Sequence, residues 1–224
     1  MRLISLGLLL AGGAGGCSTV HGVRPVGKGA VRPEFSFGGP ITEAFGIPIP
    51  LPLTTVGATV GLSDVLDVHA AWHPTPAMMM GIPAFDGGVS YAFRAPEGPR
   101  PRLMADLSVV SAFGDAEEGP PEGGLRIWMQ PTLTASWDWG QRKRQTSYLG
   151  YTGFFQPFPT TAWRGAPVLG QLWGLGPRAV LSTELKWIGP FVETDMLVPH
   201  YYAPGSQGAI SFQLGFGYTF GGAP

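Results

Sequence analysis

Charge is scarce in this chain. Asp, Glu, Lys and Arg make up 13% of its 224 residues, whereas typical soluble domains contain about 25%. The net charge of −1 provides no basic surface of the kind that binds nucleic acid. Long apolar runs are also missing, because no stretch after Leu10 approaches the roughly 20 residues of a membrane-spanning helix. These absences argue against a nucleic-acid-binding protein and against a helical membrane protein.

Cysteine occurs once, as Cys17, which excludes an internal disulfide. The sequence predicts no cofactor and no metal site. His69 and His73 share one face of a predicted strand and would lie about 13 Å apart along it, too far to share a metal ion directly. No histidine lies on the apolar face of the predicted strands. A nucleophile on that face would therefore lack a base. We therefore expect no catalytic residues and no enzymatic activity.

Strict alternation of apolar and polar residues is what the sequence does contain. From Ile210 to Phe220 every second residue is apolar, and Ser, Gln, Gly or Thr lies between. A period of two indicates a β-strand with one apolar side. Its recurrence predicts an all-β fold, an antiparallel up-and-down transmembrane β-barrel of about ten strands, within a range of eight to twelve. The predicted strands are Val31–Phe37, Leu53–Leu62, Leu66–His73, Phe85–Phe93, Arg102–Phe113, Arg126–Trp139, Thr146–Phe158, Arg178–Trp187, Phe191–Val198 and Ala209–Phe220.

The predicted connections alternate between short and long. Short turns are predicted at 63–65, 94–101, 140–145 and 188–190, and long loops at 38–52, 74–84, 114–125, 159–177 and 199–208. Short periplasmic turns and longer external loops are typical of outer-membrane barrels. Three external loops carry apolar runs, Ile47–Leu51, Met78–Met80 and Val168–Trp173. Two interpretations stay open for these runs: a lid over the barrel mouth, or a surface for an apolar ligand or a protein partner.

The two faces of the predicted strands differ in charge. In the sixth strand, Leu133 belongs to an apolar set assigned to lipid, and Thr132 belongs to a polar set assigned to the lumen. A cationic side chain on the lipid face costs about 2–4 kcal/mol at mid-membrane, so charged residues are expected inside. Those charges either pair and close the lumen or line a narrow, cation-favouring pore. The principal predicted lumen charges are Arg32, Glu34, Asp67, Asp106, Arg126, Asp138, Glu184 and Lys186, and the predicted periplasmic-rim aromatics are Phe93, Trp137, Trp139, Trp187, Tyr218 and Phe220.

The N-terminus has the form of an export signal. Arg2 precedes an apolar run and a string of small residues, which predicts a signal peptide over residues 1–16. Ala14-Gly15-Gly16-Cys17 resembles the bacterial lipobox, although the family usually has leucine where Ala14 stands. This resemblance implies lipidation of Cys17, and Ser18 implies sorting to the outer membrane. An ordinary secretory signal with a chance cysteine is the alternative. Residues 17–30 are predicted to form the lipidated N-terminus and a tether.

The C-terminal strand carries a more specific resemblance. Gln213, Gly215, Tyr218 and Phe220 match, in order and spacing, the C-terminal signal of bacterial outer-membrane β-barrel proteins. The resemblance implies an outer-membrane location and recognition by the barrel-assembly machinery. Here the tail 221–224 follows the last aromatic residue, whereas the family usually ends at it. The barrel is accordingly predicted to span residues 31–220.

Together these features predict a non-enzymatic outer-membrane β-barrel lipoprotein with a structural or narrow-pore transport role. Its expected partners are outer-membrane lipid and the barrel-assembly machinery, and its lipid anchor is expected on the periplasmic side. The alternative is a soluble periplasmic lipoprotein, a lipocalin-like barrel that binds an apolar ligand. In that protein the apolar face would point inward.

Overall fold

The computed structural model describes residues 22–44, 47–50, 53–80, 83–113, 125–141, 144–157, 162–188 and 209–221. Nearly all of these residues belong to β-strands. The strands are β1 (Val31–Ala44), β2 (Ile47–Pro50), β3 (Thr54–Gly61), β4 (Leu66–His73), β5 (Ala84–Arg94), β6 (Arg102–Phe113), β7 (Leu125–Trp139), β8 (Gln145–Gln156), β9 (Ala162–Gly174), β10 (Ala179–Ile188) and β11 (Ala209–Tyr218), and the helix α1 spans Pro74–Met80.

Ten of the strands form a closed antiparallel barrel. Consecutive strands from β3 to β11 pair in chain order, and β1 pairs with both β3 and β11. Phe35 lies opposite Phe216 across the closing seam. The short strand β2 pairs with the last residues of β1, from Ile41 to Ala44, beyond the part of β1 that faces β3 and β11. The predicted fold class, a closed antiparallel barrel of ten strands, is therefore confirmed.

The barrel has two distinct ends. The end that holds Val31, which bridges to Phe220, is called the terminal end. Its connections are short, at residues 62–65, 95–101, 140–144 and 175–178. The opposite end, called the loop end, carries α1, the β1–β2 hairpin and the connections at 114–124, 157–161 and 189–208. Most short turns thus lie at one end and most longer connections at the other, as predicted, although the connection 157–161 is as short as 140–144. The short turn predicted at 188–190 is wrong, because β10 ends at Ile188 and the next described strand begins at Ala209.

The apolar face points away from the barrel interior. Leu133 is 60% exposed, whereas its neighbour Thr132 is 7% exposed and lies inside. Phe35, Val89, Leu149 and other large apolar side chains are likewise exposed on the outer wall. The alternative of a soluble barrel with an apolar cavity is wrong, because it requires this face to line the interior.

Several strands agree closely with the sequence prediction. β4 and β6 have the predicted bounds, β5 is one residue longer at each end, and β7 is one residue longer at its start. β1 is longer than predicted, because the chain that was assigned to a loop after Phe37 continues in the sheet to Ala44 and returns as β2. Part of the predicted loop 74–84 forms α1. The apolar runs beginning at Ile47 and at Met78 therefore lie in β2 and α1, at the loop end.

The sequence prediction is wrong for residues 162–174. The sequence predicts a long external loop here, but these residues form β9, which pairs with β8 from Ala162 to Trp173 and with β10 from Val168 to Gly174. Alternation is weak here because the inward residues Ala166, Val168 and Leu172 are apolar like the outward ones. The apolar run Val168–Trp173 is therefore part of the barrel wall and not part of a lid or an external loop.

The missed strand reverses the direction assigned to β10. β10 starts at the terminal end, after the turn 175–178, so Trp187 lies at the loop end and not at the predicted periplasmic rim. Arg178, predicted to point inward from a strand, is exposed in that turn. The predicted strand Phe191–Val198 lies outside the described residues. No helix among the described residues is long and apolar enough to cross a membrane.

Candidate functional site in the barrel lumen

The lumen is lined mainly by polar side chains, many of them buried and hydrogen-bonded. Inward residues alternate with outward ones along the strands, so most strands contribute Ser, Thr, Gln or charged groups to the interior, whereas the described inward residues of β9 are apolar. Buried inward residues include Ser36, Thr59, Asp67, His69, Ser90, Gln130, Ser136, Ser182, Ser211 and Gln213. Since burying an unpaired polar group is costly, the pairing of these groups decides what the lumen can do.

A chain of imidazole and carboxylate groups crosses β4, β5 and β6. His69 Nε2 lies 2.9 Å from Asp106 Oδ1, and His73 Nε2 lies 2.7 Å from Asp86 Oδ2. His69 Nδ1 is 4.0 Å from Asp86 Oδ1, which places Asp86 between the two rings. The hydroxyls of Ser90 and Ser108 also donate to Asp106. Alternation along the strand predicts that both histidines share one face, but it does not predict this shared network.

At the loop end of this side-chain network, a hydroxyl, an imidazole and a carboxylate lie in that order. Thr55 Oγ1 lies 3.5 Å from His73 Nδ1, and the other ring nitrogen faces Asp86. Such an order suits nucleophilic catalysis when a substrate can reach the hydroxyl. Here Thr55, His73 and Asp86 are 5%, 1% and 5% exposed. The cluster therefore ties β3, β4 and β5 together and leaves no room for a substrate.

Ion pairs hold other parts of the inner wall. Arg102 Nη2 lies 2.9 Å from Asp138 Oδ2, and Thr146 donates to the same carboxylate. Lys186 Nζ lies 2.9 Å from Glu184 Oε1. The hydroxyl of Tyr148 donates to the second oxygen of Glu184 at 2.6 Å. These pairs join β6 to β7 and β8 to β10.

The remaining predicted lumen charges have different surroundings. Arg32 Nε donates to Glu34 Oε1 within β1 at 2.5 Å. Asp67 accepts a hydrogen bond from a main-chain N–H rather than from a base. Arg126 occupies its predicted place in β7, opposite Ala112, but its side chain lies outside the described part of the structure. No cluster of three metal-ligating side chains occurs among the described residues.

The N-terminal residues Gly22–Ala30, called the inner segment, run from inside the barrel, where Gly22 and Val23 are buried, to the rim at the terminal end. The hydroxyl of Thr134 donates to the carbonyl of Gly22, and that of Ser136 donates to the carbonyl of Val23 at 3.0 Å. The Val26 N–H donates to Asp67 at 3.1 Å. The segment therefore enters the lumen at the terminal end and reaches the depth of Thr134. The sequence predicts a tether here, because these residues show no periodicity.

Val23 fills an apolar pocket in the polar wall. It is 2% exposed and packs with Tyr148 and Val168, and Leu172 adds a partly buried contact. This packing explains why the inward face of β9 is apolar. The apolar inward residues of β9, such as Val168 and Leu172, are therefore the sequence signal for an inserted segment, and the prediction of a loop at 159–177 does not use it.

Two glycines turn the inner segment into β1. Gly27 and Gly29 have φ angles of 93° and 72°, which residues with a Cβ adopt only at a cost. The bend is held at the rim, where the Gly29 N–H donates to the carbonyl of Gly61 and the Gly61 N–H donates to that of Ala30. A cavity of about 40 Å³ remains beside the segment, lined by Val23, Arg24, Glu34, Tyr148 and Ser182 among others. A space of this size holds only a few water molecules.

The residues of the predicted assembly signal lie in the closing strand. Gln213 is buried in the lumen, and Gly215 lies opposite Ser36 of β1. The rings of Tyr218 and Phe220 lie 4.8 Å apart at the terminal end. Cys17, the predicted lipidation site, lies outside the described residues.

No protein-family model matches the chain, and no curated protein matches it. Among solved structures, it is similar to the attachment invasion locus protein Ail of Yersinia pestis, with 10% identity, a TM-score of 0.30 and coverage of 86% of this chain and 99% of Ail. It is similar to the outer-membrane protease OmpT from Escherichia coli, with 12% identity, a TM-score of 0.39 and coverage of 85% and 97%. It is also similar to the outer-membrane protein OprG from Pseudomonas aeruginosa, with 11% identity, a TM-score of 0.29 and coverage of 89% and 100%. Residue roles do not transfer across likenesses this distant.

Proposed function

We propose that this chain is a non-enzymatic β-barrel lipoprotein of the bacterial outer membrane, with a structural role and a closed lumen. The observation that carries the proposal is the opposition of the two faces of the wall. Inside, the described charged side chains form ion pairs or hydrogen bonds, and Asp67, Asp86, Asp106, Glu184 and Lys186 are buried. Outside, apart from Arg94 at the terminal end of β5, the described side chains of the barrel strands include no Asp, Glu, Lys or Arg.

Such an outer wall belongs in lipid. Soluble monomers rarely expose a contiguous apolar patch of more than a few hundred Å², whereas this wall exposes Phe37, Leu107, Leu133, Leu169 and Leu214 on strands around the barrel. β5, β6 and β8 contain 11, 12 and 12 residues, and about 9–11 residues of tilted strand cross a bilayer. Because the backbone of a closed barrel pairs internally, no polar edge is presented to lipid.

The terminal end faces the periplasm in this proposal. Short turns at that end and longer connections at the other fit the usual arrangement, in which long loops are external. In this proposal a lipid on Cys17 is expected in the periplasmic leaflet. Export by a lipoprotein signal supports the same orientation.

A catalytic role is disfavoured by burial. His69 and His73 point into the lumen, where both are at most 5% exposed, and His21 and His200 lie outside the described residues.

A narrow cation-favouring path is the second candidate. It is favoured because the described inner wall carries Glu34, Asp67, Asp86, Asp106, Asp138 and Glu184 against the fixed bases Arg32, Arg102 and Lys186.

Fractionation tests the proposal. Membranes from cells that produce the full chain, or its Cys17→Ser variant, are washed with alkaline carbonate and with urea, and the retained protein is run on gels with and without boiling. We expect both chains to stay in the membrane and to shift mobility on boiling, because the barrel is held by its wall and not by its lipid. Release of the Cys17→Ser variant by carbonate would contradict an integral barrel. Loss of acyl-chain labelling in that variant is the expected sign of lipidation at Cys17.

Planar-bilayer recording distinguishes a closed structural barrel from a narrow cation-favouring pore. The closed barrel is expected to give no steady conductance. A steady cation-selective current through the intact chain would support the narrow pore instead.

A further inference from the structure

We propose that the terminal half of the lumen is a binding site for an extended peptide, and that the inner segment occupies it as a removable plug. This inference rests on the proposed function, since it assumes a membrane barrel, and it adds a device that controls access to the lumen. Its ligand is the chain's own sequence from Gly22 to Lys28.

The wall meets the main chain of the segment with matched polar groups. Two hydroxyls on one face of β7, those of Thr134 and Ser136, donate to successive carbonyls of the segment. Two carboxylates accept from its N–H groups: Asp67 accepts from Val26 at 3.1 Å, and Asp64 accepts from Lys28 at 3.3 Å. A wall that satisfies main-chain donors and acceptors from its side chains recognises an extended backbone.

Selectivity comes from two positions of the segment. Val23 is enclosed by Tyr148, Val168 and Leu172, so this position requires an apolar side chain. Gly22 lies against β6, where an added Cβ would come within 3.0 Å of the Cβ of Asp106. The site therefore fits a glycine followed by a branched apolar residue.

The contacts of the inner segment are also compatible with its withdrawal from the lumen. Apart from Val23, the segment is held mainly by hydrogen bonds to its main chain, which water can replace at little net cost. The bend at Gly27 and Gly29 lies at the rim, with no side chain or backbone within 4 Å of a Cβ placed on either glycine. Rotation at this bend would withdraw the segment toward the periplasm while Val31 and the rest of β1 stay in the wall.

Withdrawal would uncover a polar vestibule. The segment contacts Asp67 and Asp106, whereas Asp138 is paired with Arg102 of the wall. Removal of the segment also removes the positive charges of Arg24 and Lys28. The vestibule would therefore admit small cations in preference to small anions.

Thiol labelling of the lumen tests the proposal. Ser136→Cys places a thiol beside Val23 with little change of shape, and it is labelled in the purified barrel with a water-soluble cationic or anionic methanethiosulfonate. A chain without the added cysteine supplies the background from Cys17. Labelling is expected to be slow in the intact chain and faster by on the order of tenfold or more after deletion of residues 22–28, because buried thiols react only through opening. The cationic reagent should react faster than the anionic one.

Matched controls separate plug release from general loosening. Glu97→Cys lies in an exposed turn and should be labelled equally fast with and without the segment. In the full chain, Val23→Asp should accelerate labelling at Ser136→Cys, whereas Val23→Ile should not. This pair keeps the test valid if the deletion fails to fold.

A synthetic peptide tests the binding site directly. The peptide of residues 22–30, Gly-Val-Arg-Pro-Val-Gly-Lys-Gly-Ala, is added to the deletion variant and should slow labelling at Ser136→Cys; its Val23→Asp version should not. Equal labelling rates in the intact chain and the deletion, or absence of protection by the peptide, would overturn the plug. Membrane extraction of the same proteins reports separately on the barrel proposal, so the two failures are distinguishable.

Discussion

The hydroxyl of Tyr148 donates a 2.6 Å hydrogen bond to Glu184, across two strand boundaries. The other oxygen of that carboxylate lies 2.9 Å from Lys186 Nζ in an ion pair. The ring of Tyr148 meanwhile packs against Val23. One side chain thus connects the charged network of the wall to the apolar pocket of the inner segment.

Tyr148→Phe is expected to destabilise the barrel by about 1–3 kcal/mol, because a buried carboxylate oxygen loses its donor while the apolar ring remains. Tyr151→Phe is the matched control, since Tyr151 lies on the same strand but points outward and is 51% exposed. Urea unfolding in lipid vesicles measures both. Equal stability of the two variants would show that the hydroxyl contributes nothing at position 148.

Leu133→Arg should cost about 2–4 kcal/mol of folding free energy in a bilayer, because this outward residue lies near the middle of β7. Leu62→Arg, in a turn at the terminal end, should cost about 0–1 kcal/mol, since lipid-facing charge is tolerated near the interface. Both positions are exposed in the bare barrel. Folding titrations into vesicles compare them, and similar costs would contradict burial of Leu133 in lipid.

Asp106→Ala should be among the most damaging single changes in the lumen. It removes the carboxylate that faces His69 and accepts from Ser90 and Ser108. Removal of one partner from a buried charged network costs about 3–5 kcal/mol. The exposed Glu97→Ala serves as control. Heat-modifiable gel mobility and unfolding by urea report the loss, and a wild-type midpoint for Asp106→Ala would rule out a structural role for this network.

Gly29→Ala should favour the withdrawn inner segment. Alanine at a φ of 72° is strained, and the strain is relieved when the bend opens. Gly98→Ala introduces a similar strain at a φ of 56° in the β5–β6 connection, which does not contact the segment. We expect faster labelling of Ser136→Cys only with Gly29→Ala. If both glycine variants accelerate it equally, the bend has no specific part in release.

The sequence predicts well those strands that have one apolar face and one polar face. Leu66–His73 and Arg102–Phe113 were predicted with their observed bounds, because each has one apolar face and one polar face. The inward positions of Asp67 and Asp106 followed from the same parity. β9 was not predicted, because its inward residues Val168 and Leu172, which pack near Val23, are apolar like its outward residues. The alternation of apolar and polar residues is therefore lost in this strand.

Partners within the lumen could not be predicted. His69 and Asp106 are 37 residues apart, and Ser136 and Val23 are 113 apart. Alternation gives the side of a strand on which a residue lies, but it does not give the register between strands that brings two residues together.

Local periodicity thus determined by itself the all-β fold and which residues share a strand face, because a strand repeats every two residues whatever its neighbours are. Only the tertiary structure decided that β9 is a strand, that the apolar face lies outside and that Gly22 and Val23 lie buried in the lumen. These features depend on barrel closure and on contacts between distant residues. An isolated segment such as 22–30, which has no periodicity, carries no local signal for them.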